Sequence, residues 1–272
     1  MIKSCVTIAL VPEIKTGPWI YWNDLEASIS KASALGFDAI ELFTPSADAL
    51  DVEKLKSLLE RHHLDLGAVG TGAGKVIQEL TLTDQNEQVR KKAIEFIKEM
   101  VKFGAQLGAP AIIGSMQGNV VSGTDRAIVM NWLSDSLNEL GAYAEEQGTF
   151  LIYEPLNRYE TNIVNTIEAG AELIDSLKTS NVKLLADLFH MNIEESNLED
   201  SISKYINYIG HVHFADSNRR PIGFGHTEIS KAMEALISGG YTGSVSAEAF
   251  PWPNPDAAAE QTIIAFNTFF RK

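Results

Sequence analysis

Short runs of strand-forming residues alternate with amphipathic helical stretches from one end of this chain to the other, an order that few folds accept. The strand-like runs are 4–10, 38–42, 64–70, 110–114, 149–154, 182–187, 208–214 and 243–248. Between them, apolar residues recur at helical spacing over 23–35, 51–62, 85–107, 126–147, 166–178, 194–205 and 229–238, with a last stretch at 256–270. Local punctuation agrees. Asp51 stands before Val52 as a helix N-cap, Asp84 precedes a first turn rich in Glu and Gln, and Gly36, Gly108 and Gly148 follow helix ends. Eight strand–helix units without a Ser/Pro/Gly-rich linker predict the α/β class and a single (β/α)8 barrel domain over residues 1–272. An open doubly wound sheet is the competitor. It would carry a glycine-rich turn after the first strand, where this chain has Val11-Pro12-Glu13-Ile14-Lys15. Gly70-x-Gly72-x-Gly74 matches neither a dinucleotide nor a phosphate loop, and reads as a flexible strand-to-helix connection.

In such a barrel the C-terminal ends of the strands form one mouth, where active sites lie. Four of the strand-like runs end on a metal-ligand type: Glu154, Asp187, His213 and Glu248, separated by 33, 26 and 35 residues. Each gap holds a helix and a return strand, so the four side chains should converge. Three carboxylates and an imidazole suit a divalent cation, and the carboxylates can also move protons. Taken singly, each signal is weak. Glu154 could form a structural ion pair with Arg158, His190 could be a capping or core histidine, and His211-x-His213 is a common pattern. Equivalent positions in successive units give the set its meaning. The longer loops on this face, including Val11–Trp22, Gly70–Thr83 and Asp216–Glu228, are what a substrate pocket requires.

Other residues admit two readings. Trp19, Trp22 and Trp252 could wall a sugar or simply pack. Glu41 could reach the pocket or bond nearby backbone, the second being favoured. His226 could order its loop, Arg220 could meet a phosphate, and His62-His63 read as solvated. The net charge of −14 excludes a basic nucleic-acid footprint. Cys5 is the only cysteine, so no intrachain disulfide forms, and its apolar surroundings predict a buried strand position. No signal-like or membrane-spanning stretch is evident, so the expected location is the cytoplasm, without nucleic-acid or membrane partners.

Several segments carry a family resemblance: Glu154-Pro-Leu-Asn-Arg-Tyr-Glu160, Asp187-Leu-Phe-His-Met-Asn-Ile-Glu194, His211-Val-His-Phe-Ala-Asp-Ser-Asn-Arg219 and Ala247-Glu248. They resemble the xylose-isomerase-like TIM barrels, and within these the ketose 3-epimerases acting on D-tagatose, D-psicose and L-ribulose. The resemblance implies one divalent ion, manganese first and cobalt, magnesium or zinc as substitutes, held by Glu154, Asp187, His213 and Glu248. It implies that Glu154 and Glu248 form an acid/base pair that inverts C3 of a ketose through a cis-enediolate. Glu160, His190 and Arg219 match substrate-binding positions, and a homodimer or tetramer is implied. Aldose–ketose isomerases, hydroxypyruvate-type isomerases and inosose dehydratases share such a metal set and remain rivals. A non-catalytic sugar-binding barrel would be expected to have lost a ligand. Endonuclease-IV-type enzymes, with three zinc ions, need more histidines than this mouth offers.

Overall fold

The computed structural model describes residues 1–271. Its eight barrel strands are Lys3–Ala9, Ala39–Phe43, Asp65–Gly70, Ala111–Ile113, Leu151–Tyr153, Val182–Asp187, Ile209–His213 and Ser244–Ala247. Each pairs in parallel with the next, and the last pairs with the first, Val6 facing Ala247. The ring is closed, as the alternation predicts. A two-residue strand, Tyr21–Trp22, adds to the outer end of the first strand. The helices Leu25–Leu35, Val52–His62, Glu87–Ala105, Arg126–Glu146, Ile167–Ser176, Leu198–Tyr205, Ile229–Ser238 and Pro255–Phe270 are the eight expected from periodicity. Their starts are set by side chains that satisfy the first free N–H groups: Asp24, Asp51, Asn86, Asp125, Thr166 and Asn254 all cap in this way. The cap of the third-unit helix is therefore Asn86, two residues beyond the expected Asp84. Among the described residues no helix is long and apolar enough to cross a membrane.

Most of the core lies between strands and helices. Inside the ring the strands divide. Ala68, Ile112, Ile152 and Leu185, from the third to sixth strands, form a small separate apolar cluster. The remaining strands bury Thr7, Glu41, His211 and Ser246. Residues two apart on a strand share a side, so the runs Ile152/Glu154, Leu185/Asp187, His211/His213 and Ser246/Glu248 each carry an inner residue and then one at the mouth.

Two connections differ from expectation. Gly70–Gly74 leads into a short helix, Ala73–Gln78, rather than a flexible loop. Gly74 is needed for close packing: a Cβ there would lie 2.8 Å from both Met116 and Phe96 side chains. A further short helix, Leu188–Glu194, starts directly at the sixth strand because Asp187 caps it, accepting from the N–H groups of Phe189 (2.8 Å) and His190 (3.3 Å).

The loop after the seventh strand is built around Asp216. Its Oδ1 accepts from the N–H groups of Ser217 (2.7 Å) and Thr227 (3.0 Å), and its Oδ2 from Gly223 (2.9 Å). A Cβ at Gly225 would lie 2.2 Å from Asp216 Oδ1, so this turn closes only over glycine. Within the loop Arg219 takes a left-handed backbone conformation, φ 56°, at a cost of about 1–3 kcal/mol. That conformation is fixed at both ends. The Arg219 N–H donates to the Asp216 carbonyl (2.8 Å), and the Arg219 carbonyl accepts from Phe250 N–H (2.7 Å).

Partial burial pushes the Asp216 carboxyl up, but the N–H donors of Thr227, Ser217, Gly223 and Gly225 outweigh it and hold it below the ordinary aspartate value. A lowered folded-state pKa contributes stability above the unfolded value, lost as pH falls through the folded one. Amide protection of Gly223 and Thr227 is therefore expected to survive pH values at which ordinary aspartates protonate, and to vanish only below them. In Asp216→Ala the same amides should exchange rapidly at neutral pH while the barrel strands stay protected, which hydrogen-exchange mass spectrometry or NMR would measure.

Candidate active site

Glu154, Asp187, His213 and Glu248 each offer one ligand atom to a single point, all four atoms lying within 4.8 Å of one another. His213 Nδ1 is central: 3.2 Å from Asp187 Oδ2, 3.4 Å from Glu248 Oε2 and 3.5 Å from Glu154 Oε1. All four residues are buried. Local structure presents each one. Asp187 spends Oδ1 on the cap of the following helix and turns Oδ2 to the cluster. The Glu154 backbone is pinned by N–H donation to Ile113 O (3.0 Å) and by its carbonyl accepting from Gln117 Nε2 (2.9 Å). Gly114 leaves room for this carboxylate: a Cβ there would lie 2.3 Å from Glu154 Oε2 and would push it from its place.

The electrostatics of the cluster call for positive charge. Burial drives the Glu154 carboxyl above its ordinary range. Burial also opposes ionisation of Asp187 and Glu248. At Asp187, His190 and Arg219 outweigh it, and at Glu248, Arg219 and His213 do, so both are held below the ordinary range. The His213 imidazole is pulled well above its usual value, against burial, by Glu41 and Glu248. Glu154 Oε1 is buried with no hydrogen-bond partner. Three carboxylates this close repel one another unless a cation lies among them. The donor set, three oxygens and a nitrogen facing one point, fits a divalent ion.

Below this cluster lies a residue that sequence reasoning assigned to a lesser role. Glu41, fully buried in the middle of the second strand, bonds neither backbone nor cavity. Its Oε2 meets His211 Nε2 at 2.7 Å and its Oε1 meets His213 Nε2 at 3.2 Å. The two imidazoles, despite the opposing effect of burial, hold its carboxyl well below the ordinary range. The pattern was visible as one acidic residue inside the apolar run Ala39-Ile40-Glu41-Leu42-Phe43 and two histidines on the same side of another strand.

Beside the four-residue cluster stand the three residues expected at the substrate. His190 Nε2 lies 3.8 Å from Glu154 Oε1 and 3.7 Å from Asp187 Oδ2. Its Nδ1 faces the backbone N–H of Asn157 at 3.3 Å and Asn157 Nδ2 at 2.7 Å. Arg219 Nη1 stands at the other ring nitrogen, 3.3 Å from Nε2, so donor groups approach the imidazole from both sides. Arg219 is buried and ion-paired with Glu248, 3.4 Å from Asp187 Oδ2 and 3.8 Å from Glu160 Oε1. Phe189 supports it from one face, 4.7 Å from its guanidinium. Glu160, half-exposed, accepts from Asn157 Nδ2 at 3.2 Å. Asn157 thus ties Glu160 to His190, and it escaped notice although it lies inside the Glu154–Glu160 segment.

Arg158 does not pair with Glu154. It forms a two-pronged contact with Glu194, Nε to Oε1 and Nη2 to Oε2, both 2.9 Å, because it points outward from the loop while Glu154 points into the barrel. His226 is exposed, with only its backbone N–H engaged, on Ser217 Oγ. Arg220 stacks on Trp252, 4.2 Å from the ring centroid, at the rim. Trp22 backs Trp19 edge-to-face at 5.1 Å.

The site opens into a cavity of about 370 Å³. Glu154, His190, His213, Arg219 and Glu248 line it together with the apolar side chains of Trp19, Phe43, Val76, Ile112, Leu156 and Phe250. Among the described residues Arg219 is the only lysine or arginine in the lining.

Residues 29–267 match the family model described as xylose isomerase-like TIM barrel. A D-psicose 3-epimerase of Enterocloster bolteae is 31% identical over 85% of this chain and 80% of that protein. An L-ribulose 3-epimerase of Methylomonas sp. is 27% identical over 89% of this chain and 84% of that protein. Among solved structures, D-psicose 3-epimerase from Clostridium cellulolyticum H10, crystallised with D-tagatose, superposes with a TM-score of 0.81 at 23% identity, covering 98% of this chain and 99% of that one. With its closed eight-stranded ring and a family match over most of its length, this chain belongs to the xylose isomerase-like TIM-barrel family.

Proposed function

We propose that this protein is a divalent-cation-dependent ketose 3-epimerase, working as one domain on an unphosphorylated sugar. One observation carries the proposal: two glutamates from different strands, Glu154 and Glu248, meet at the same buried point as Asp187 and His213. The 3-epimerase relatives support the reaction class. The oxygen-rich donor set with one imidazole favours manganese, with cobalt, magnesium or zinc as substitutes.

A bound cation would polarise the carbonyl next to C3 and lower the cost of charge gathering on its oxygen. The rest falls to the protein. One glutamate removes the C3 proton, leaving an enediolate, and the other delivers a proton to the opposite face, inverting the centre. Having two bases in one site is what distinguishes inversion from simple exchange. His190 and Arg219, beside the two glutamates, bind substrate oxygens. Arg219 also holds Glu248 in place. Burial keeps bulk water off the enediolate itself, while the carboxylates re-equilibrate with solvent between turnovers, so the proton delivered to C3 carries the solvent isotope. The only guanidinium in the cavity is already held by Glu248, with Asp187 and Glu160 nearby. A phosphate ester would find no free cation there and would meet carboxylates instead.

The chemistry is read by incubating the protein with manganese and free ketoses in deuterated water. Deuterium at C3 together with the C3 epimer is the expected result; exchange at C1 with an aldose product, or loss of water, would transfer the assignment to an isomerase or a dehydratase. Chelation should abolish turnover and manganese should restore it. Glu248→Gln keeps the shape but loses the base, and kcat should fall by about 10²–10⁴-fold; a fully active variant would refute the acid/base assignment. Comparing one ketose with its terminal phosphate ester should show the free sugar with the larger kcat/KM.

A further inference from the structure

We infer that Glu41 fixes which nitrogen of His213 faces the cation site, and so governs how tightly that site holds its cation. The inference rests on the cation-site assignment proposed above. Glu41 itself touches nothing in the cavity: it is fully buried, and it reaches the site only through His213. It acts as a positioning residue.

The argument is one of proton placement. An ionised carboxylate accepts hydrogen bonds and donates none. Glu41 Oε2 meets His211 Nε2 and Glu41 Oε1 meets His213 Nε2, so each ring must present a proton at that nitrogen. An imidazole that binds a cation does so in its neutral form, with one N–H left. With the proton of His213 on Nε2, its Nδ1 lone pair is bare, and Nδ1 is the atom that Asp187, Glu154 and Glu248 surround at 3.2–3.5 Å. The opposite tautomer would put an N–H into the cluster, donate it to a carboxylate and occupy the direction a cation needs. The two tautomers of His213 are thus a ligand and a blocker, and Glu41 selects between them. His211 has a supporting role. Its 2.7 Å bond takes the other oxygen of Glu41 and orients the carboxylate so that the remaining oxygen faces His213. Removing a carboxylate that orients a metal-bound histidine weakens affinity by about 10–100-fold in general.

The test uses the intact protein labelled with ¹⁵N-histidine and loaded with zinc as a diamagnetic substitute. Long-range ¹H–¹⁵N spectra should show His213 protonated at Nε2, with Nδ1 bound to the ion; a proton on Nδ1 would overturn the inference whatever any variant does. In parallel, competition against a chelator would give manganese affinity and stoichiometry for wild type and Glu41→Leu, each checked for folding by circular dichroism. The expected result is one cation per chain, bound about 10–100-fold more weakly by the variant. Unchanged affinity in a folded variant would sink the role given to Glu41 while leaving the cation site intact. Two cations in wild type falling to one in the variant would make Glu41 a direct ligand and overturn the positioning role. No cation bound by wild type would remove the cation site itself, and this inference with it.

Discussion

Three carboxylates crowd around one imidazole nitrogen at the mouth of this barrel, and much of the surrounding structure exists to make that tolerable. Buried like charges at such spacing are costly. The protein balances them from two sides. Arg219 supplies a permanent positive charge against Glu248 and Asp187, and its strained backbone is held by the Asp216 turn and the Phe250 amide. The remaining imbalance, at Glu154 Oε1 and His213 Nδ1, is what a divalent ion would answer. Closure of the ring makes this possible, since only a closed barrel brings the fifth and eighth strands to one point.

The fold was legible because its signals are long and repeated. Eight strand-like runs and eight helical stretches survive errors of two or three residues at any boundary, and seven of the eight helix starts are marked by a side chain that bonds free N–H groups. What was not legible are features decided by single contacts. The helix Leu188–Glu194 follows from one carboxylate, Asp187, serving both as a cap and as a member of the cluster. Nothing in the periodicity of so short a segment announces it. Likewise Gly74 looked like a flexible position, and only the nearness of Met116 and Phe96 shows that it is there for packing.

The site divides in the same way. Convergence of Glu154, Asp187, His213 and Glu248 could be anticipated because they occupy equivalent places in successive units, and the barrel turns equivalent places into neighbours. Glu41 lies one step deeper, in the middle of the second strand, its partners lie 170 and 172 residues away, and a single acidic residue in an apolar run does not name them. The Arg158 alternative failed for a related reason. Four residues of separation made Glu154 a plausible partner, yet the loop points the two side chains in opposite directions, and Arg158 finds Glu194 across the loop instead.

The two halves of the barrel interior give this division a physical sense. Ala68, Ile112, Ile152 and Leu185 fill one side with packed apolar atoms that demand nothing of their neighbours. Thr7, Glu41, His211 and Ser246 occupy the other side, and polar groups there must be bonded in a defined direction. Thr7 donates to the Ala247 carbonyl at 2.7 Å, next to Glu248, and Glu41 joins the seventh strand to the second. A purely apolar interior could have closed the ring with less desolvation. The polar half instead constrains rotation of His213 and the backbone beside Glu248, the two features a proton-transfer site can least afford to leave loose. The apolar side chains of the cavity impose no such directionality. Under the proposed function, recognition would be concentrated at the reacting end of the sugar, where a displacement of about 1 Å costs on the order of 10²-fold in rate, and relaxed at its tail.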